Sequence, residues 1–267
     1  MYVQEFFNQL WLKYTQLTPQ ALFIHKLFTE CGEQVVNDHI AFRTFDGCAF
    51  DLTAFTRILN SLGYEAFADY RFPEKHLEAK AFKHNSDALP KIFASELKRS
   101  ELSLANQHIL KRLIKTASMT ELKVSDLYAG RLWSPITYAE YQSLAEESEY
   151  AAWLSTMGLT ANHFTVSVNH LQNYNHLEKL NQLLISQGIP LNEVGGLIKG
   201  GPDVYLAQSA TLADQYEERF ACGTTALIPS CFYEFAYRYS LPSGKLFEGF
   251  VTNNASKIFD STHRVID

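Results

Sequence analysis

The sequence predicts an α+β chain built around two copies of a β-α-β-β-β module, and three observations carry that expectation. The first is a repeated opening: Asn37-Asp38-His39-Ile40-Ala41-Phe42-Arg43-Thr44-Phe45 and Asn162-His163-Phe164-Thr165-Val166-Ser167-Val168-Asn169-His170 both start an alternating, strand-like run with an Asp/Asn-His dipeptide. The second is a helix after each run. A helix-period segment, Leu52 to Leu62, is stopped by Gly63, and a matching one, His176 to Gln187, is stopped by Gly188. The stop glycine falls 24 residues after the first histidine and 25 after the second. The third is that each copy continues into shorter strand-like runs, so a duplication is the simplest reading.

The elements then fall into four segments of one domain spanning 1–267. Residues 1–33 read as two helices, the first from the spacing of Phe6, Phe7, Leu10, Trp11 and Tyr14. The second begins at Thr18-Pro19, a cap followed by proline at the first helical position, and ends at Gly32. Residues 34–97 hold the first module, with strands expected at Tyr64–Phe72, Leu77–His84 and Lys91–Leu97, the first two separated by Pro73. Residues 98–158 interrupt the repeat with helical stretches at Leu104–Ile114 and from a Ser134 cap through Pro135 to Met157, ended by Gly158. Residues 159–267 hold the second module, including strands at Asp203–Ser209, Ile228–Tyr239 and around Leu246–Val251. The glycines from Gly195 to Gly201 lack the Gly-Lys-Ser/Thr ending and the following helix of a phosphate loop. They suit a hairpin or a lid.

Composition narrows the class of function. A chain of 267 residues with 46% hydrophobic and 19% charged residues can bury a sizeable core. Its net charge of -6 gives no basic footprint for nucleic acid or an anionic membrane. No apolar run is long enough for a spanning helix and no leader pattern opens the chain, so the expected location is cytoplasmic. The four cysteines have no C-x-x-C spacing, which argues against a zinc knuckle or a disulfide framework.

Strand parity singles out the chemistry. In the first run His39, Ala41, Arg43 and Phe45 share a face, with the imidazole and guanidinium roughly 13 Å apart along the backbone. Unpaired, that face is unfavourable to bury and suits a pocket wall. In the second run His163 shares a face with Thr165 and Ser167. Gln208 is a polar residue on the otherwise apolar side of its strand, and Glu234 lies opposite Tyr233, Phe235 and Tyr237 with Phe232, Ala236 and Arg238. A carboxylate there needs a partner, either Arg238 or a metal ion. Glu96 and Glu248 are competing carboxylates. If the modules pack about a pseudo-twofold, His39, His163 and Glu234 form a two-histidine, one-carboxylate set with open positions, the arrangement of non-haem Fe(II) oxygenases, with Mn, Co or Zn also open. Arg43 is suited to fork the carboxylate of an anionic small molecule.

The runs Asp38 to Phe45 and Asn162 to Thr165, the Gln208-Ser209 pair and Phe232-Tyr233-Glu234-Phe235-Ala236 together resemble the 2-oxoadipate dioxygenase/decarboxylase family over most of the chain. The resemblance implies a vicinal-oxygen-chelate-like curved sheet around the metal site, with Fe(II) held by His39, His163 and Glu234, a substrate carboxylate on Arg43, and Gln208 lining the pocket. It implies that one 2-oxo acid, such as 2-oxoadipate, reacts with O2 to give 2-hydroxyglutarate and CO2, a step of lysine catabolism. The segment Asn253 to Asp260 also looks like a family signature, without a role. Two other readings stay open from the residues: a metal-dependent isomerase, lyase or hydrolase on the same modules, and a non-catalytic small-molecule-binding module in which Glu234 pairs with Arg238.

Overall fold

Two strands that begin at the histidine dipeptides lie side by side and antiparallel at the centre of one eight-stranded sheet. The computed structural model describes residues 3–117 and 119–262; the outer ends of the expected 1–33 and 159–267 segments lie outside the described residues. The first module is β1 (Asn37–Phe45), a helix, then β2 (Tyr64–Phe72), β3 (Leu77–His84) and β4 (Lys91–Leu97). The second is β5 (Ala161–Ser167), a helix, then β6 (Lys199–Gly201) and β7 (Leu206–Ala210). A hairpin of β8 (Gln215–Arg219) and β9 (Thr225–Pro229) precedes its last strand, β10 (Phe232–Arg238). The sheet order β2-β3-β4-β1-β5-β10-β7-β6 reads the same from either edge once β5, β6, β7 and β10 are matched to β1, β2, β3 and β4. The expected duplicated fold is thus the observed one.

The helices explain why both faces of the central strands are buried. Helices α1 (Val3–Leu17) and α2 (Pro19–Glu30) pack on β5 and β10, with Trp11 and Tyr14 against Phe164 and Phe28 against Phe235. Helix α3 (Leu52–Ser61) continues that layer over the first module. Asp51 caps it by accepting from Ala54 N at 2.9 Å. The insert supplies α4 (Leu104–Thr116), α5 (Tyr138–Glu147) and α6 (Glu149–Met157); α7 (Leu177–Ser186) is the counterpart of α3, and α8 (Thr252–Phe259) comes last. On the face that carries the histidines, α6 meets β1, and α8 reaches from β2 to β6 and β7, across the mouth of the curled sheet. β1 keeps the expected alternation of an apolar and a polar face, and the polar face is roofed as well, so both are buried.

Several boundaries differ, among them the single strand expected over Ile228–Tyr239, which is divided between β9 and β10. The long helix expected from Ser134 begins instead at Tyr138, because Thr137 and Glu140 form a reciprocal capping box. It breaks at Ser148, whose hydroxyl accepts from Ala151 N to start α6. Val168–His170 leave the strand as a 3-10 turn, and Leu246–Val251 form no strand beyond an isolated bridge at Leu246. Pro202–Val204 likewise form a 3-10 turn ahead of β7. Within the glycine-rich segment, Lys199–Gly201 form an edge strand on β7. Among the described residues no helix is long and apolar enough to cross a membrane.

Candidate metal centre

The register of the central strands decides which side chains meet. His39 sits across from Thr165 on β5, and Thr165 from Glu234 on β10, so one lateral row runs His39, Thr165, Glu234 on the roofed face. The next row is Ala41, His163, Phe232, and the row on the other side is Ser167, Ala236, Gln208, Lys199. Paired residues in neighbouring strands point to the same side of a sheet. One ligand atom each from His39, His163 and Glu234 therefore fall within 4.8 Å of one another, and all three residues are buried.

Each candidate ligand is aimed by a second group. Asp38 Oδ1 lies 2.7 Å from His39 Nδ1, which fixes the hydrogen on Nδ1 and turns Nε2 inward. Asn162 Oδ1 takes the same place at 3.0 Å from His163 Nδ1. In both modules the residue that orients the imidazole is its own chain neighbour. Asp38 is in turn clamped by Arg238, Nε to Oδ2 at 2.7 Å and Nη2 to Oδ1 at 2.8 Å. Burial works against the Asp38 charge, but Arg238 and His39 outweigh it and hold the carboxyl well below its ordinary range. Arg238 is therefore not the partner of Glu234. Glu234 instead faces His39 Nε2 at 3.4 Å, His163 Nε2 at 3.2 Å and the Gln208 amide at 2.7 Å.

The electrostatics of this trio favour a cation. Burial raises Glu234 above the usual carboxylate range, with His39 and the Gln208 hydrogen bond partly offsetting it. Burial, and then the charges of His39 and Arg43, push His163 well below its ordinary value, so its ring is neutral at pH 7. With the hydrogen on Nδ1, His163 presents a lone pair on Nε2 directly to Glu234 Oε2. Two acceptors 3.2 Å apart repel unless a positive centre lies between them. The residues present thus fit a divalent ion held by two imidazoles and one carboxylate, with further positions open. Thr165, whose hydroxyl lies 3.1 Å from His39 Nε2, was not singled out from the sequence; only its place on the His163 face signalled it.

Arg43 lies further along β1 and is 1% exposed. Its Nη1 meets Glu149 Oε2 at 3.1 Å and its Nη2 donates to Thr262 Oγ1 at 3.0 Å, while Nε has no partner among the described residues. Tyr150 and Trp153 present their rings to it at 4.8 and 5.0 Å. A cavity of about 230 Å³ has Glu149, Trp153 and Thr262 in its wall. At the opposite end, a cavity of about 660 Å³ is lined by Asp38, Lys91, Ser167 and Arg238 among others. Lys199 is buried beside Gln208 and donates to Asn192 O; burial lowers its ammonium to about 8. Glu96 accepts from Leu52 N at the start of α3 and pairs with Lys98, and Glu248 is half-exposed against Lys83. Neither carboxylate reaches the trio.

Comparison with known proteins bears on the same residues. A family model described as 2-oxoadipate dioxygenase/decarboxylase matches residues 15–246. The chain is 36% identical over 256 residues to a chloroplastic protein of that name from Arabidopsis thaliana, covering 86% of this chain and 69% of the relative. It is 33% identical to the rice hydroxyglutarate synthase whose crystal structure holds 2-oxoadipate, with a TM-score of 0.93 over 97% of this chain and 91% of that one. A Ralstonia eutropha protein whose name places it in the glyoxalase superfamily has a TM-score of 0.78 at 23% identity, over 93% and 85% of the two chains; it bears on the fold alone, the vicinal-oxygen-chelate architecture.

Proposed function

Because the chain belongs to the 2-oxoadipate dioxygenase/decarboxylase family, we propose that it converts a 2-oxo dicarboxylic acid such as 2-oxoadipate, with O2, to 2-hydroxyglutarate and CO2. The atoms balance: the oxo acid loses the carboxylate next to its keto group as CO2, and both oxygen atoms of O2 enter the 2-hydroxyglutarate, one in the carboxylate made from the keto carbon and one as the new hydroxyl. The observation that carries the reading is the convergence of His39, His163 and Glu234 on one buried point. In this proposal those three residues hold Fe(II), which supplies the oxygen chemistry. The chain's own residues do the rest.

Asp38 and Asn162 hold the two imidazoles with Nε2 inward. Gln208 orients the Glu234 carboxylate. Arg43 is the group for the substrate carboxylate, since it is a buried guanidinium on the histidine face whose charge reaches His163. Glu149 and Thr262 hold its fork in place, and the incoming carboxylate takes over part of that pairing. The roof of α6 and α8 keeps bulk water from the site.

The test is an oxygen electrode combined with CO2 trapping. Anaerobically purified protein loaded with Fe(II) is expected to consume one O2 and release one CO2 per 2-oxoadipate, with no second organic substrate. Turnover without O2 would overturn the proposal in favour of an isomerase, lyase or hydrolase. Arg43→Lys keeps the charge and loses the planar fork, so it is expected to raise KM for the oxo acid roughly 10- to 100-fold, the worth of a charged hydrogen bond. An unchanged KM in steady-state assays would remove Arg43 from substrate binding.

A further inference from the structure

Gln208 donates to Glu234 Oε1 at 2.7 Å, but a carboxamide can face either way, and reversed it would turn its oxygen on a carboxylate. Something must fix its sense. Gln208 Oε1 accepts from Asn254 Nδ2 at 3.2 Å, and Asn254 Nδ2 also lies 3.1 Å from Leu206 O and 3.3 Å from Lys199 O. Backbone carbonyls only accept, so they fix the sense of Asn254, which fixes Gln208, which presents N–H to Glu234. The donors thus diverge from Asn254, whose NH2 donates on one side to two peptide carbonyls and on the other to Gln208, which donates in turn to the candidate metal ligand.

Two independent features support this arrangement. Asn254 is only 2% exposed, so its amide has no water to fall back on. Gly200, at φ +78, has no room for a side chain: a Cβ there would lie 2.4 Å from Asn254 Nδ2 and 2.2 Å from Leu206 O. The edge strand thus leaves a gap of the right place and size for this one amide, which explains a glycine inside β6.

We infer that Asn254, carried on the roofing helix α8, is a positioning residue for Glu234 that acts through Gln208. The orientation of the carboxylate is thereby tied to the seating of the last helix on the sheet. With Gln208 occupying Oε1, the carboxylate keeps Oε2, on the His163 side, free for the ion. This rests on the reading of the trio as a metal site, and the experiment separates the two.

Anaerobic titration with Mn(II), read by loss of the free-ion EPR signal, measures affinity without turnover. The wild-type chain is expected to bind one Mn(II); if it binds none, the metal reading and this inference fall together. Asn254→Ala is expected to weaken binding about tenfold, the lower end for loss of an outer-shell partner. Asn254→Ser, a smaller change whose hydroxyl is too short to reach Gln208, is expected to do the same and serves where the alanine variant does not fold. In a Gln208→Ala background, Asn254→Ala is expected to add less than about threefold, because its route to Glu234 is already cut. Lys75→Ala, which frees Asp260 at the far end of the same segment, is expected to lower Tm and leave the affinity unchanged. Affinity within about threefold of wild type in both Asn254 variants, or an equal loss in Lys75→Ala, would overturn the inference and leave Asn254 a packing residue.

Discussion

Glu234→Gln is expected to remove metal binding and turnover while leaving the metal-free protein at least as stable as before. The carboxylate is 1% exposed, and its largest influence is burial, which raises it above the usual range. A buried charge in that state costs stability unless a cation meets it. The carboxamide is close to isosteric and still accepts from Gln208 on one side. On the other it places an N–H where Oε2 now faces the neutral His163 Nε2 at 3.2 Å, turning a repulsion into a hydrogen bond. The expected gain in the metal-free form is about 1 kcal/mol, or roughly 2–4 °C in a chain of this size. The sign comes from linkage. A carboxyl raised in the folded state is a burden above its folded value, and the burden fades as pH falls through that value toward the ordinary one. The advantage of the variant is therefore largest at neutral pH and shrinks in acid. Adding Mn(II) at about a hundred times its Kd should raise wild-type stability by about 2.7 kcal/mol and the variant's hardly at all. Calorimetry of both proteins with and without metal checks this, and equal metal stabilisation of the two would exclude Glu234 as a ligand.

The trade of stability for a binding site also explains what could be read from the chain and what could not. Gln208 and Glu234 were legible because each puts a polar side chain on an otherwise largely apolar strand face, and His39 and His163 because each opens one of two repeated Asp/Asn-His runs. The stop glycines were legible because Gly63 and Gly188 take positive φ, which few other residues adopt. The partners of the charged groups were not. Arg238 lies four residues from Glu234 on one strand, the natural partner by local reasoning, yet it pairs with Asp38, 200 positions away. Local spacing fixes which face a residue occupies and says nothing about which distant strand will lie next to it. Asn254 was hidden for a related reason. It sits in Thr252–Phe259, a helix of only eight residues whose short apolar stripe is Ala255, Ile258 and Phe259, so the amide of Asn254 carries no signal of its own until the helix docks across β6 and β7.

Asp38→Asn tests the most distant of these partnerships and is expected to have the largest effect on stability. Asp38 satisfies three donors with two oxygens: His39 Nδ1 and Arg238 Nη2 on Oδ1, and Arg238 Nε on Oδ2. Asparagine has one oxygen, so either orientation aims an N–H at the guanidinium. The orientation that keeps the Arg238 Nε bond also turns an N–H on His39 Nδ1, which drives the ring hydrogen to Nε2 and removes the lone pair that faces Glu234. Arg238 is 4% exposed and keeps only the carbonyls of Phe247 and Gly249 as full partners, so the folded state should lose about 3 kcal/mol, roughly 6–12 °C. Mn(II) affinity should fall 10- to 100-fold. The pH dependence runs opposite to that of Glu234. Asp38 is held below its ordinary value in the fold, so its contribution is complete above that ordinary value and is lost as pH falls through the depressed one. The stability gap between wild type and variant should therefore be full at pH 7 and close only in strong acid. A gap that vanished near neutrality in urea titrations at several pH values would mean that Asp38 is not the charged half of a buried pair.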